Sequence, residues 1–268
     1  MGNRSTNPAQ SAQLSTMGDP IRSILADTEQ DPADALAFWA RLFATHDRLM
    51  FQAFEREAGE DRAFRMQRRV WENPTHPILP ILQETGTTIE DAVATFSRAF
   101  MVHDYYCFWI MVEELGEVRA IETHHTIWEN QDQEAGEIGV RELGKKGGTW
   151  EELYALYKEA TDNEGIPFKL VEIAEDHLTV EAKQCNYFDS MCHVFGQEKG
   201  EGLLQKIAVE STDRTIECFL AGLGRQHEVQ GVMVKHRCHG DDGCQVVFSK
   251  RTPDGAPSRA RGTRDYGG

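Results

Sequence analysis

The hydrophobic period changes part-way along this chain, and that change restricts the folds open to it. In the first half, Leu36, Trp39, Leu42, Phe43, His46, Leu49, Met50 and Phe54 recur at helical spacing. Asp31-Pro32 supplies an N-cap and a first-turn proline, and Gly59 a stop. A second run opens at Thr87-Thr88, with Glu90 in its first turn, and ends at Gly116. It carries Ala92, Phe96, Phe100, Met101, Tyr105, Phe108, Trp109 and Val112, a wide aromatic face that predicts a helix buried on most sides. Asn73-Pro74 and His76-Pro77 predict a non-helical connection between the two runs.

From residue 169 onward the period is that of strands. Residues 169–173 and 178–182 read as a hairpin, joined through Glu175-Asp176-His177. A helical stretch over 203–223 follows. Residues 232–236 and 245–248 then flank the turn Gly240-Asp241-Asp242-Gly243. The middle is less uniform. The alternation over 118–128 admits a strand, 129–143 a helix ending at Gly144, and Thr149 caps a short helix to about residue 161, with Glu152 closing a capping box. The expected fold class is α+β, a helical N-terminal half packed on a C-terminal antiparallel sheet of hairpins. Residues 20–164 form the mainly helical region and 165–251 the α+β hairpin region, together one compact domain. The polar stretch 1–19 reads as a disordered leader, and the Pro-, Gly- and Arg-containing stretch 252–268 as a loose tail.

Composition excludes several function classes. Lys and Arg number 28 against 44 Asp and Glu, a net charge of 28 − 44 = −16, and the basic residues are scattered among acids. Such a chain repels duplex phosphates, so nucleic acid is not an expected partner. No apolar run reaches the roughly 18 residues of a membrane span. The leader lacks an apolar signal-peptide core, which points to the cytoplasm. There the six cysteines are thiols or metal ligands rather than disulfides.

Five of those six cysteines fall in the C-terminal third. Cys185 follows the second strand, and Cys192 comes soon after it. Cys238 and Cys244 flank the last turn. His193 and His239 directly follow Cys192 and Cys238. Sheet ends and their loops are where reacting groups collect. Thiols beside imidazoles admit two chemistries: a cysteine nucleophile with a histidine base, or a bound soft or borderline metal. The first assigns catalysis to Cys185, His193, Cys238 and His239. The second assigns a divalent transition metal, the cofactor this set admits, to Cys192, Cys244, His103, His124 and His125. The spacing matches no standard zinc finger. His103 interrupts an apolar helix and needs a partner, and so does His46 beside Asp47. These two and one of His124 or His125 are placed to converge between helices and sheet. Cys107 and Cys218 read as core. Tyr187, Trp128 and Arg237 are candidate substrate contacts, and Arg119, Arg141 or Arg237 would suit a carboxylate. Gly144-Lys145-Lys146-Gly147-Gly148 lacks the strand and Gly-Lys-Ser/Thr ending of a phosphate loop and reads as a connection.

The C-terminal third, about residues 165–250, carries a recognisable order of parts. A hairpin ends in Cys185-Asn186-Tyr187, Cys192 follows, then a helix, a strand, and Gly240-Asp241-Asp242-Gly243-Cys244-Gln245-Val246-Val247-Phe248. This order resembles the L-2-amino-thiazoline-4-carboxylic acid hydrolase family, and the closing segment is similar to vinyl-reductase-type small-ligand domains of bacterial regulators. Cys185-Asn186 stands where the family has Cys-Pro. The resemblance implies a small-molecule hydrolase acting on a non-peptide C–N or C=N bond of a cyclic amidine or related heterocycle. It implies attack by a Cys185 thiolate with His193 or His239 as base, or by water on a metal. The competing classes are a non-catalytic small-ligand or metal-sensing domain and a metal-dependent lyase or oxidoreductase. No DNA-binding helix-turn-helix is evident, which favours an enzyme over a regulator. The two broad apolar helix faces fit either a homodimer or one monomer core.

Overall fold

The computed structural model describes residues 20–27, 30–84, 86–144 and 147–251. The leader 1–19, the tail 252–268 and the lysines of the glycine-rich connection lie outside the described residues. Helix α1 (Pro20–Asp27) is followed by α2 (Pro32–Ala58), opened by the Asp31 carboxylate, which accepts the Ala33 N–H at 2.9 Å. Gly59 ends α2 with φ of +81°, and α3 (Glu60–Trp71) starts at once. Nothing in the apolar period announces α3, because only Ala63, Met66 and Val70 form its buried stripe in an otherwise charged run. A short α4 (Ile78–Gln83) leads to α5 (Ile89–Leu115). There Thr88 and Asp91 exchange the reciprocal bonds of a capping box, and Phe100 and Phe108 are fully buried.

The stretch 118–128 is not a strand. It belongs to α6 (Glu117–Leu143), one continuous helix from Gly116 to Gly144. The alternation misleads because Val118 is 75% exposed, whereas Ala120, His124, Ile127 and Gln131 form a buried stripe at helical spacing. Thr149 does cap α7 (Trp150–Asn163), its hydroxyl accepting the Glu152 N–H at 3.2 Å. The Glu152 carboxylate, however, accepts from Gly148 N–H at 2.9 Å rather than from the cap residue.

The chain then forms β1 (Lys169–Ile173) and β2 (His177–Ala182), an antiparallel hairpin. Two helices intervene before the next strand: α8 (Asn186–Phe195) and α9 (Gln197–Gly222), the latter starting earlier than its apolar period indicates. β3 (Val229–Lys235), a single 3₁₀ turn (Arg237–His239) and β4 (Cys244–Lys250) complete a four-stranded antiparallel sheet in the order β1-β2-β4-β3. The protein is therefore α+β, with helices first and the sheet at the C-terminal end. Among the described residues, no helix is long and apolar enough to cross a membrane.

Two apolar clusters make the core. One is helical, centred on Trp39, Phe54, Phe100 and Phe108; the other lies under the sheet, with Leu153, Leu178, Leu220 and Phe248. α9 joins them, giving Leu203 and Ile207 to the first and Ile216 and Phe219 to the second. Packing thus crosses the boundary drawn at 164/165. The approach of α9 to α6 requires glycine on both sides. A Cβ at Gly136 would lie 2.5 Å from the Phe219 carbonyl oxygen, and one at Gly222 would lie 2.3 Å from that of Gln133.

Candidate functional site

A partly open cavity of about 200 Å³ lies where the helical layer meets the ends of the sheet. α6 lines it with His124, Trp128 and Asp132, spaced four residues apart and so on one helix face. Asp104 comes from α5, and Glu164 from the end of α7. Opposite them are Cys185 at the N-cap of α8, then Tyr187, His236, Arg237, Cys238 in the 3₁₀ turn, and Cys244 opening β4. Aromatic and aliphatic side chains fill the remaining wall, among them Tyr157, Phe168 and Phe219.

The helical side carries a buried histidine–carboxylate network. Asp104 is 2% exposed, and its Oδ1 lies 2.8 Å from His124 Nε2 and 3.1 Å from His46 Nε2. Burial opposes ionisation of Asp104, but His124 and then His46 override it and hold the carboxyl well below its usual range. Burial pushes the His46 imidazole down, partly offset by its bond to Asp104. Trp128 Nε1 also donates to His124 Nε2, at 3.3 Å, so that nitrogen meets both the Asp104 carboxylate and the indole N–H. His124 Nδ1 is buried and has no hydrogen-bond partner. Next to this network, His103 Nε2 bonds the Asp47 carboxylate at 2.7 Å. Trp71 Nε1 donates to the same carboxylate at 2.9 Å, and Gln67 donates to it as well. Burial opposes ionisation of Asp47, and the His103 bond prevails, keeping its carboxyl low.

The acids on the cavity wall behave in the opposite way. Burial pushes the Asp132 carboxyl up to about 7, partly offset by a bond from Thr215. Burial, then the neighbouring charge of Asp132, pushes Glu164 well above the carboxylate range, despite the nearby Tyr187 hydroxyl. Arg237, the basic side chain of this wall, is bound at 2.7 Å to Asp189 and lies over the Phe188 ring at 4.9 Å.

All six cysteines are free thiols. Burial, then Cys244, pushes the Cys185 thiol well up; burial pushes Cys238 up to about 12. Burial also raises Cys244, though Arg237 and its backbone offset part of this. The turn holding Cys185 is fixed by the next residue. Asn186 is fully buried, donates to Ser97 Oγ on α5 at 3.0 Å and accepts from Ser190 Oγ at 2.6 Å. Asn186 therefore ties this turn to the helical layer.

Cys185, Cys238, Cys244, His124, Tyr187, Trp128 and Arg237 are thus brought to one cavity. The other sequence candidates are placed elsewhere. α8 carries Cys192 and His193 to a separate, more open cleft beside Asp189, and burial pushes the Cys192 thiol up to about 11. His239 packs edge-on to His236, ring centroids 5.5 Å apart, and does not line the cavity. His103 faces Asp47, and His125 Nε2 bonds the Ile207 carbonyl at 3.1 Å, tying α6 to α9. The proposed metal set of Cys192, Cys244, His103, His124 and His125 is therefore dispersed. Among the described residues, no three His, Cys, Asp or Glu side chains are grouped to hold a metal ion. Arg119 is engaged by Glu57 and Glu122 on the surface. Cys107 is core, as its helix position indicates, while Cys218 is only half-buried.

Asp132, Glu164, Asp104 and His236 are absent from the sequence candidates. Asp132 had a usable signal, since it extends the His124–Trp128 spacing by one more turn once 117–143 is one helix. His236, which burial and His239 push down to about 4, directly precedes the turn carrying Cys238. Glu164 has no periodic signature. No family model, no curated protein and no solved structure matches the chain.

Proposed function

We propose that this protein is a cytoplasmic small-molecule hydrolase acting on a non-peptide C–N or C=N bond of a cyclic amidine or related heterocycle. One observation carries the reading. An ionised Asp104 bonded to His124, and the carboxyls of Asp132 and Glu164 raised by burial, line the same cavity. Titratable groups driven apart by their surroundings are what base and acid catalysis require. In this reading His124 Nδ1 takes the proton of the attacking group as a bond forms to the C=N carbon. Asp132 or Glu164 gives a proton to the departing nitrogen, the C–N bond breaks, and the imidazolium proton returns to the carboxylate.

The attacking group is water, or the Cys185 thiol, whose adduct water then attacks, breaking the C–S bond and returning the thiol. The thiols start protonated, so a cysteine route needs His124 or the neutral His236 as its base. The free thiols fit a reducing cytoplasm, and the charge of −16 argues against nucleic acid. The broad stripes of α2 and α5 pack together in one helical core, so the site needs no second copy.

The test is turnover of 2-aminothiazoline-type cyclic amidines. His124→Gln is expected to lower kcat at least 100-fold with the fold intact. Cys185→Ser separates the two attacking groups: loss of turnover assigns the thiol, retention assigns water. If no cyclic amidine or related C–N substrate is turned over while small molecules bind the cavity saturably, the protein is instead a small-ligand-binding domain. The aromatic lining of the cavity favours that second reading.

A further inference from the structure

A second cavity, of about 320 Å³, lies on the far side of Asp132 and Glu164, between α2, α6 and α7. Asp132, Ala135, Ala160, Glu164 and Phe219 line both cavities and form the partition between them. The second cavity has apolar walls from Phe38, Leu42, Ile138 and Leu156. Its charged lining consists of Asp132, Glu134, Glu159 and Glu164 against one guanidinium, Arg41. Glu134 also meets Arg48 at 3.7 Å on the surface.

Gln131 distinguishes this space from an ordinary packing gap. It is 5% exposed, it lines the second cavity, and neither its Oε1 nor its Nε2 has a hydrogen-bond partner. A buried amide left unpaired is costly, so native proteins rarely keep one that nothing uses. The amide offers an acceptor and a donor side by side, next to carboxyls that an entering cation would ionise.

We propose that the second cavity is a binding site for a small organic cation that carries an amide or similar donor–acceptor group beside its charged nitrogen. Gln131 pairs with the amide, the ammonium draws the protons off the partition acids and is then held by their carboxylates, and the apolar wall takes the hydrocarbon part. The site borders the first cavity through Asp132 and Glu164 and is positioned to pass such a molecule toward it. The proposal does not rest on the hydrolase reading, because it concerns binding alone.

The test uses phenylalaninamide at about pH 6, where its amine is protonated. Two truncated probes accompany it: 2-phenylethylamine, without the amide, and 3-phenylpropanamide, without the charge. Calorimetric titration is expected to show saturable binding of phenylalaninamide, with each truncated probe at least ten-fold weaker. Gln131→Leu is expected to abolish the preference for phenylalaninamide over 2-phenylethylamine. Asp132→Asn is expected to abolish the preference for phenylalaninamide over 3-phenylpropanamide. Gln131→Leu should also raise Tm, since it replaces an unpaired buried amide with an apolar side chain of similar size. Equal affinity for charged and neutral probes would overturn the proposal. So would unchanged phenylalaninamide affinity in Gln131→Leu, or a fall in Tm showing that the fold already satisfies the amide.

Discussion

The two walls of the first cavity handle buried polar groups differently. On the helical side, Asp104 is shared by His46 and His124, and Asp47 by His103 and Trp71. Each of these charges has its partners within the protein. Elsewhere around the cavity the groups are neutral: Cys185, Cys238 and Cys244 on the sheet side are raised thiols, and Asp132 of α6 and Glu164 after α7 are raised carboxyls. Paired groups hold helices together, whereas groups kept neutral against a cavity wait for something to enter it. His124 belongs to both sets: its Nε2 is committed to the network, and its Nδ1 is not.

The comparison breaks most visibly at Asp104. Asp104→Asn strips the charge that three helices share and leaves buried imidazoles without it. We expect a loss of about 3–5 kcal/mol in urea unfolding. A loss below 1 kcal/mol would mean that the network is not what holds α2, α5 and α6 together.

The pH dependence of stability sharpens the contrast, because the paired and the neutral acids have opposite signs. Asp104 has a lowered pKa, so its stabilisation is present above the ordinary carboxylate range and is lost as the solution is made more acidic. Asp132 and Glu164 have raised pKa values, so the folded state is favoured while they stay protonated and loses ground as pH rises toward and through about 7. Asp132→Asn should therefore gain on the wild type progressively from about pH 5 to pH 8 in parallel denaturation curves. Parallel curves would show that Asp132 is not held protonated by the fold.

The thiols should matter less to the fold. Cys185→Ala and Cys244→Ala are each expected to cost about 1 kcal/mol in the same assay while the cavity chemistry changes. A cost like that of Asp104→Asn would move the thiols into the structural set. The smallest effect is expected at the rim. Asp189→Asn loosens its pair with half-buried Arg237 and should change stability by less than about 1 kcal/mol, with any effect on turnover appearing in KM.

Much of this contrast is legible in the amino-acid order, but unevenly. The ends of α2 and α5 are written in local chemistry: Asp31-Pro32, Gly59, Thr88 and Gly116 act through neighbours in sequence. Cys185, Cys238 and Cys244 are marked by their places at sheet ends. His103 and His46 signal themselves as polar residues in apolar helices, but their partners come from other helices and have no local mark. α6 is the instructive failure. Its first turns alternate apolar and polar residues by coincidence, and a strand reading turns His124 and His125 to opposite faces and hides the His124–Trp128–Asp132 row. α8 is short and follows directly on the Cys185 turn, so no period of its own stands out.

The close contact of α6 with α9 bears on ancestry. The cavity thiols can be exchanged in a descendant that takes up different chemistry, and the fold would survive most of those exchanges. Gly136 and Gly222 have no such freedom, because any larger residue would force the two helices apart along their whole contact. A distant cousin of this protein should therefore be sought by that pair of glycines on two long helices, rather than by its cysteines.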